Sequence, residues 1–289
     1  MSGYAHPEML ASTEWAAEHL NDPKVRFVEV GFSADAYNSG HIPGAVYWAW
    51  NGNVLQVGNR DILDKAGLET QLSQAGIARD TTVVLYDGFS NLLAAMGLWM
   101  LKIYGHPDVR LLDGERTKWT SEGRPLMTDT PDIQPTTYKA KKPDWTLRAH
   151  RDLVLEGIGK PNRVLVDTRT TAMYSGEDSM GGSIGGHIPG AVIVPAVMET
   201  DNGQFRRWIT PTTNADGTFK SADELRALFS SKAITPDKEL ITYCVRGGLS
   251  THMWFVLKYL LGYPEVREYD GSWSEWGNLI GVPVERVGV

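Results

Sequence analysis

The chain has 289 residues, of which 42% are hydrophobic and 22% charged, with a net charge of −7 and a single cysteine. At roughly 100–200 residues per domain this suggests two domains, in a globular chain rather than a disordered or collagen-like one. The acidic balance argues against general nucleic-acid binding, no apolar run approaches the roughly 18 residues of a membrane helix, and one cysteine excludes an internal disulfide or a multi-cysteine metal site.

Residues 1–10 lack the basic start and apolar core of a secretory leader, so none is expected and a reducing, cytoplasmic setting fits best. Residues 25–30 are short and β-branched and predict a strand, as do residues 81–86. Residues 92–104 form a long apolar run ending before Gly105, which predicts a buried helix with a glycine stop, and 109–112 predict a third strand. Residues 124–145 hold Pro125, Pro131, Pro135 and Pro143, a density that opposes helix and central strand and predicts an irregular linker. Beyond it come a strand at 164–166, a helix opened by the capping-box residues Ser221 and Glu224, a strand at 240–243, a helix at 252–261 stopping at Gly262, and a strand at 266–269. Apolar strands alternating with helices predict parallel sheets covered on both faces.

The chain repeats itself. His41-Ile42-Pro43-Gly44-Ala45-Val46 recurs 146 residues later as His187-Ile188-Pro189-Gly190-Ala191-Val192. Asp113-Gly114 recurs 157 residues later as Asp270-Gly271, and Tyr86 as Tyr243. The larger second offset implies extra residues in the second copy, for which 203–216 are candidates. Units of this size are duplicated domains rather than solenoid repeats. The expected division is a domain over 1–127, a linker over 128–145 and a second domain over 146–289.

The informative chemistry lies at the cysteine. Cys244 directly follows the strand at 240–243 and precedes Val245-Arg246-Gly247-Gly248-Leu249-Ser250 and a helix. Parallel α/β sheets place ligands at the carboxyl ends of strands. Gly247 and Gly248 permit backbone angles that let successive N–H groups converge, and the next helix aims its positive end at the same point. Arg246 adds a full charge. The group favours a thiolate nucleophile, and a negative terminal sulfur should Cys244 become a persulfide. The reading requires the neighbouring amides to face a sulfur that solvent can reach; otherwise Cys244 is an inert core cysteine. In the first copy the matching position is Asp87, which is no sulfur nucleophile, so that copy is expected to be inactive and to act as scaffold and one wall of a cleft.

Taken together, the chain resembles the two-domain sulfurtransferases of the rhodanese family over nearly its whole length. The residues that carry the likeness are 41–45 and 187–191, Val166-Asp167-Thr168-Arg169, the loop 244–250, and Leu112-Asp113-Gly114 with Trp119, echoed by Tyr269-Asp270-Gly271 with Trp273. The resemblance implies an α/β fold of two tandem domains, each a mainly parallel sheet with helices on both faces, and no metal or organic cofactor. It implies that Cys244 takes sulfur from a small anionic donor, thiosulfate or alternatively 3-mercaptopyruvate, and passes it to cyanide or a thiol. Arg246 stands where thiosulfate-type members often have a basic residue. Met173 falls where some members carry a substrate-binding arginine, and Arg206 and Arg207 could replace that charge. Asp167 and Arg169 are expected to pair, with Arg169 alternatively facing the cleft. His41 and His187 are expected to be structural, His252 a helix residue rather than a base, and Trp254 a possible cleft residue. With two units in one chain, a monomer is the expected state.

Other classes make different demands. A cysteine phosphatase needs arginine six positions after the cysteine, where this chain has Ser250. A cysteine hydrolase would pair Cys244 with His187 or His252. A noncatalytic rhodanese-like binding protein would leave the Cys244 loop without a role.

Overall fold

A computed structural model describes residues 3–196 and 210–287. The chain divides into two compact units, one over 8–144 with 216–218, the other over 3–7, 145–196, 210–215 and 219–287. Residues 124–144 carry neither helix nor regular strand and belong with the first unit.

In the first unit the elements run β1 (Leu10–Ala11), α1 (Thr13–Glu18), β2 (Val25–Gly31), α2 (Asp35–Ser39), β3 (Val46–Ala49), α3 (Lys65–Gln74), β4 (Thr82–Tyr86), α4 (Leu92–Ile103), β5 (Val109–Leu112) and α5 (Glu115–Ser121). The second continues with α6 (Arg151–Gly157), β6 (Arg163–Asp167), α7 (Thr171–Ser175), β7 (Val192–Ile193), α8 (Ala222–Ser230), β8 (Glu239–Tyr243), α9 (Gly248–Phe255), β9 (Val266–Glu268) and α10 (Ser272–Trp276). The sheets have the orders β1-β5-β4-β2-β3 and β7-β6-β8-β9, with every strand pair parallel. The two-unit parallel α/β architecture is therefore the one the sequence predicts.

The central strands are buried because both faces are covered, which is why their sequences run apolar instead of alternating. Val83, Val84, Leu85 and Tyr86 of β4 are wholly buried, as are Leu240, Ile241, Thr242 and Tyr243 of β8. Helix α4 packs on β2, β4 and β5, and α9 on β8 and β9. The capping box of α8 is present: the Ser221 side chain accepts from Glu224 N and the Glu224 carboxylate from Ser221 N. The described residues include no helix long and apolar enough to cross a membrane.

One boundary differs from expectation in a way that matters for the site. The helix after Cys244 begins at Gly248 rather than 252, and continues as a wider turn over Val256–Leu260. Gly247, at φ 85°, turns the chain from strand to helix in a single residue, so the glycine pair ends the loop instead of lengthening it.

The proline-rich segment is strapped to the first unit by its backbone. Thr136 N donates to Ser73 O at 2.9 Å, Lys141 N to Tyr104 O at 3.1 Å and Asp144 N to Ile103 O at 2.8 Å. Beneath it, His106 is buried, with Nε2 2.9 Å from Thr81 O and Nδ1 2.9 Å from Tyr138 Oη. A carbonyl only accepts, so Nε2 carries the proton and Nδ1 accepts from Tyr138. Burial is the main cause that lowers the His106 pKa to about 4, with Arg79 and Lys102 adding to it against the bond to Thr81. The unfolded chain then binds a proton between about pH 6.5 and 4 that the fold refuses. We expect urea-unfolding stability of the first unit to fall as pH drops through that window, by up to about 3 kcal/mol. His106→Gln should flatten that dependence, and an unchanged slope in the variant would show that His106 is not its source.

Candidate active site

Cys244 is the first residue beyond β8, a strand flanked by β6 and β9. Its backbone is fixed from both sides: Cys244 N donates to Ser272 Oγ at 3.0 Å, and Trp273 N donates to Cys244 O at 2.9 Å. Gly247 N donates to Cys244 Sγ at 3.1 Å. The turn over 245–247 thus curls back so that an amide at the start of α9 meets the sulfur. The first N–H groups of a helix have no carbonyl partner within it and carry the positive end of its dipole.

The predicted loop residues fall around this point. Val245 is half-buried, with its carbonyl accepting from Ser274 N at 3.1 Å. Arg246 is exposed and has no ion-pair partner among the described residues. Gly247 and Gly248 are buried, Leu249 is half-buried, and Ser250 is buried with Oγ donating to Gly247 O at 3.2 Å. One amide, that of Gly247, meets the sulfur where the sequence reading expects successive N–H groups to converge. The expected exposure is not found: Cys244 is 1% exposed, so it does not stand at an open strand tip.

The first unit provides an internal comparison. Strands β4 and β8 align residue for residue at the offset of 157, which puts Asp87 at the place of Cys244. Asp87 is fully buried and its carboxyl accepts four amides: Phe89 N and Asn91 N on Oδ1, both at 2.8 Å, and Leu93 N and Ala94 N on Oδ2, at 2.7 and 3.0 Å. Burial raises this carboxyl above the ordinary aspartate range, against the pull of those four donors. The strand-loop-helix unit of this fold therefore forms a nest of amides for a negative group, and in the first unit its own side chain fills that nest. Asp87 has no face left for a substrate.

Several side chains named from the sequence take structural places. Asp167 and Arg169 form a fully buried pair, Nη2 to Oδ2 at 2.6 Å, with Arg169 also donating to Gly186 O at 2.7 Å and lying over the Trp273 ring at 4.2 Å. His41 and His187 each place Nδ1 on a tyrosine carbonyl, Tyr37 O four residues away at 2.9 Å and Tyr174 O thirteen residues away at 2.8 Å, and stack on that same tyrosine. His252 Nε2 is hydrogen-bonded to Thr212 Oγ1 at 2.7 Å, so this nitrogen is engaged away from the sulfur. Trp254 does not line a cleft: it is wholly buried, with Nε1 donating to Val266 O at 3.2 Å. Met173 is buried in α7. Arg206 and Arg207 lie outside the described residues, as do 203–209 of the expected insertion.

Sequence reading missed a polar cluster beneath the loop. Glu268 on β9 is completely buried, and its carboxyl is hydrogen-bonded to Ser250 Oγ and, at 2.5 Å, to Thr242 Oγ1. At the offset of 157 the first unit has Leu111, Leu93 and Leu85 at these three places. Aligning the two copies position by position would have exposed the exchange of three leucines for a hydroxyl–carboxyl–hydroxyl set.

A model of the rhodanese-like domain matches residues 12–122 and again 150–279. The chain belongs to the rhodanese-like family. Sulfur carrier protein TtuD of Thermus thermophilus is 46% identical over 294 residues, covering 98% of this chain and 99% of that protein. A Saccharopolyspora erythraea protein named "Putative thiosulfate sulfurtransferase" is 42% identical over 286 residues, covering 96% of each. Among solved structures, an EanB variant in a cysteine-persulfide state with ergothioneine superposes with a TM-score of 0.84 at 26% identity, over 98% of this chain and 71% of that one. Within this rhodanese-like chain the second domain alone has the cysteine, and the amide that meets it depends on Gly247. We expect Gly247→Ala, which forces a Cβ into the left-handed region, to lower the stability of the second unit by about 1–2 kcal/mol in urea unfolding. It should also slow alkylation of Cys244 at pH 7 by about tenfold, and a variant with wild-type reactivity would break the link between this turn and the sulfur.

Proposed function

We propose that this protein is a sulfurtransferase that carries sulfur on Cys244 as a persulfide, taking it from thiosulfate and giving it to cyanide or a thiol. The observation that carries the reading is the Gly247 amide on Cys244 Sγ at the start of α9, in a loop type that in the first unit cradles a carboxyl group. The names borne by the relatives, a thiosulfate sulfurtransferase and a sulfur carrier, support it, as does the persulfide state of a solved neighbour. The reaction balances without an added redox partner. The Cys244 thiol gives its proton to solvent, and the thiolate attacks the outer sulfur of thiosulfate. The S–S bond breaks and sulfite leaves with its electron pair. Cyanide or a thiolate then attacks the terminal sulfur and restores the Cys244 thiolate, a double displacement that gives ping-pong kinetics. The first domain, with Asp87 sealed in its own loop, takes no part in sulfur chemistry.

Arg246 is the exposed charge of the loop and suits a dianionic donor better than 3-mercaptopyruvate, a monocarboxylate with a neutral thiol. A phosphatase reading is disfavoured, because the position that would need a phosphate-binding arginine is Ser250, buried on Glu268. Since Cys244 is 1% exposed, a donor reaches the sulfur only as the residues around it give way.

Intact mass after incubation with thiosulfate should show a gain of one sulfur, lost on adding cyanide and absent in Cys244→Ser. No gain, with turnover of a phosphate ester instead, would refute the proposal. Steady-state kinetics should show Arg246→Ala raising the thiosulfate KM about tenfold, with a smaller rise for 3-mercaptopyruvate. Equal losses on both donors would remove Arg246 as the selector.

A further inference from the structure

Below the loop, the second domain has given up apolar packing. Where the first has Leu85, Leu93 and Leu111, all buried, the second has Thr242, Ser250 and Glu268, also buried. A dry carboxyl costs free energy unless something is gained from it. The cluster is linked to the sulfur through one residue: Ser250 Oγ lies 3.2 Å from Gly247 O, and Gly247 N donates to Cys244 Sγ at 3.1 Å.

We infer that Glu268 is a positioning residue for Cys244, acting as a neutral carboxylic acid that tethers Gly247 through Ser250. The inference rests on the sulfurtransferase reading for its purpose but not for its test. Ser250 has one hydroxyl hydrogen for two acceptors, Gly247 O and a Glu268 oxygen, and both contacts are hydrogen bonds only when Glu268 is protonated. The Glu268 O–H donates to Ser250 Oγ, the Ser250 O–H donates to Gly247 O, and the Thr242 O–H donates to the remaining Glu268 oxygen. Every polar atom of the cluster is then engaged, and Gly247 is held at its carbonyl by Ser250, together with Thr251 N at 3.0 Å, while its N–H faces the sulfur.

The surroundings agree with a neutral acid. The titratable groups around Glu268 are Cys244 at the end of β8 and Asp270 beyond its own strand, the latter paired with Arg148 at 2.8 Å. On the packed helix α9, His252 is turned to Thr212. Burial drives the Glu268 carboxyl well above the ordinary carboxylate range and negative charge at Cys244 pushes it further, which outweighs the opposing effect of hydrogen bonding at Ser250 and Thr242. An anionic sulfur and an anionic Glu268 oppose one another, so a thiolate or persulfide state keeps the acid protonated.

The test is the pH profile of Cys244 alkylation by iodoacetamide from pH 5 to 10, followed by intact mass, in the wild type, Glu268→Gln and Glu268→Leu. Glutamine keeps a neutral donor of the same shape and should preserve the midpoint and the rate within about twofold. Leucine, the first unit's residue at this place, should raise the midpoint by about one pH unit and slow alkylation at pH 7 about tenfold. Ser250→Ala cuts the tether at its middle and should reproduce the leucine shift, which keeps the test open if Glu268→Leu does not fold. A midpoint that drops by a unit or more in Glu268→Gln would mean an ionised carboxylate beside the sulfur and would overturn the inference. So would leucine and alanine variants with the wild-type profile. No sulfur donor is involved, so a failure of thiosulfate loading would strike the proposed function and leave this result readable.

Discussion

The Cys244 loop depends on one backbone turn. A parallel strand that ends at Tyr243 becomes a helix at Gly248, four residues later, and Gly247 makes the final turn in the left-handed region. The same rotation that starts α9 points an amide at Sγ, so the fold's geometry and the sulfur's electrostatics are one event. Ser272 and Trp273 hold the cysteine backbone still while this happens. A side chain at position 247 would disturb both at once.

Much of this was legible because duplication and strand ends leave strong marks in sequence. The paired His-Ile-Pro-Gly-Ala motifs, the strand before Cys244 and the glycines after it were enough to fix the architecture and the loop. Exposure was not legible: a residue at a strand's carboxyl end can be open or roofed by the next turn, and that depends on where the helix begins. Placing the start of α9 at 252 would have left a long open loop, whereas a start at Gly248 shortens it to the four residues 244–247 and leaves Cys244 buried. Trp254 was misplaced for the same reason, since a start at Gly248 puts it in the second turn of the helix instead of beside the loop. Glu268 escaped because a lone acid in a short strand reads as an edge residue, and only comparison with Leu111 shows it to be a substitution within a core.

The two domains also solve a second electrostatic problem in different ways. Equivalent acids lie on their central strands, Glu29 opposite Tyr86 and Asp167 opposite Tyr243. In the first domain Arg116 reaches Glu29 from α5 at 2.8 Å; in the second, Arg169 reaches Asp167 from two residues along the same chain. The place of Arg116 is taken by Trp273, whose ring covers the Arg169 guanidinium. A buried acid must keep a partner, but the partner can come from either direction so long as the charge is matched. That freedom is what lets one half of a duplicated chain diverge without losing its fold.

The same accounting governs the nest at the strand end. A turn that converges amides on one point is stable only if something accepts from them. In the first domain Asp87 accepts four and closes the loop for good. In the second, a thiol accepts one, and the loop's stability has to come from elsewhere. The Thr242–Glu268–Ser250 cluster supplies it from below, holding the Gly247 carbonyl without placing an acceptor in the nest itself. Under the proposed function, bracing from beneath suits a reactive sulfur, because an acceptor added above would compete with an anion for the same amide. The three polar residues below Cys244 and the single carboxylate of Asp87 are thus alternative answers to one demand, and only the first keeps a carboxylate out of the nest.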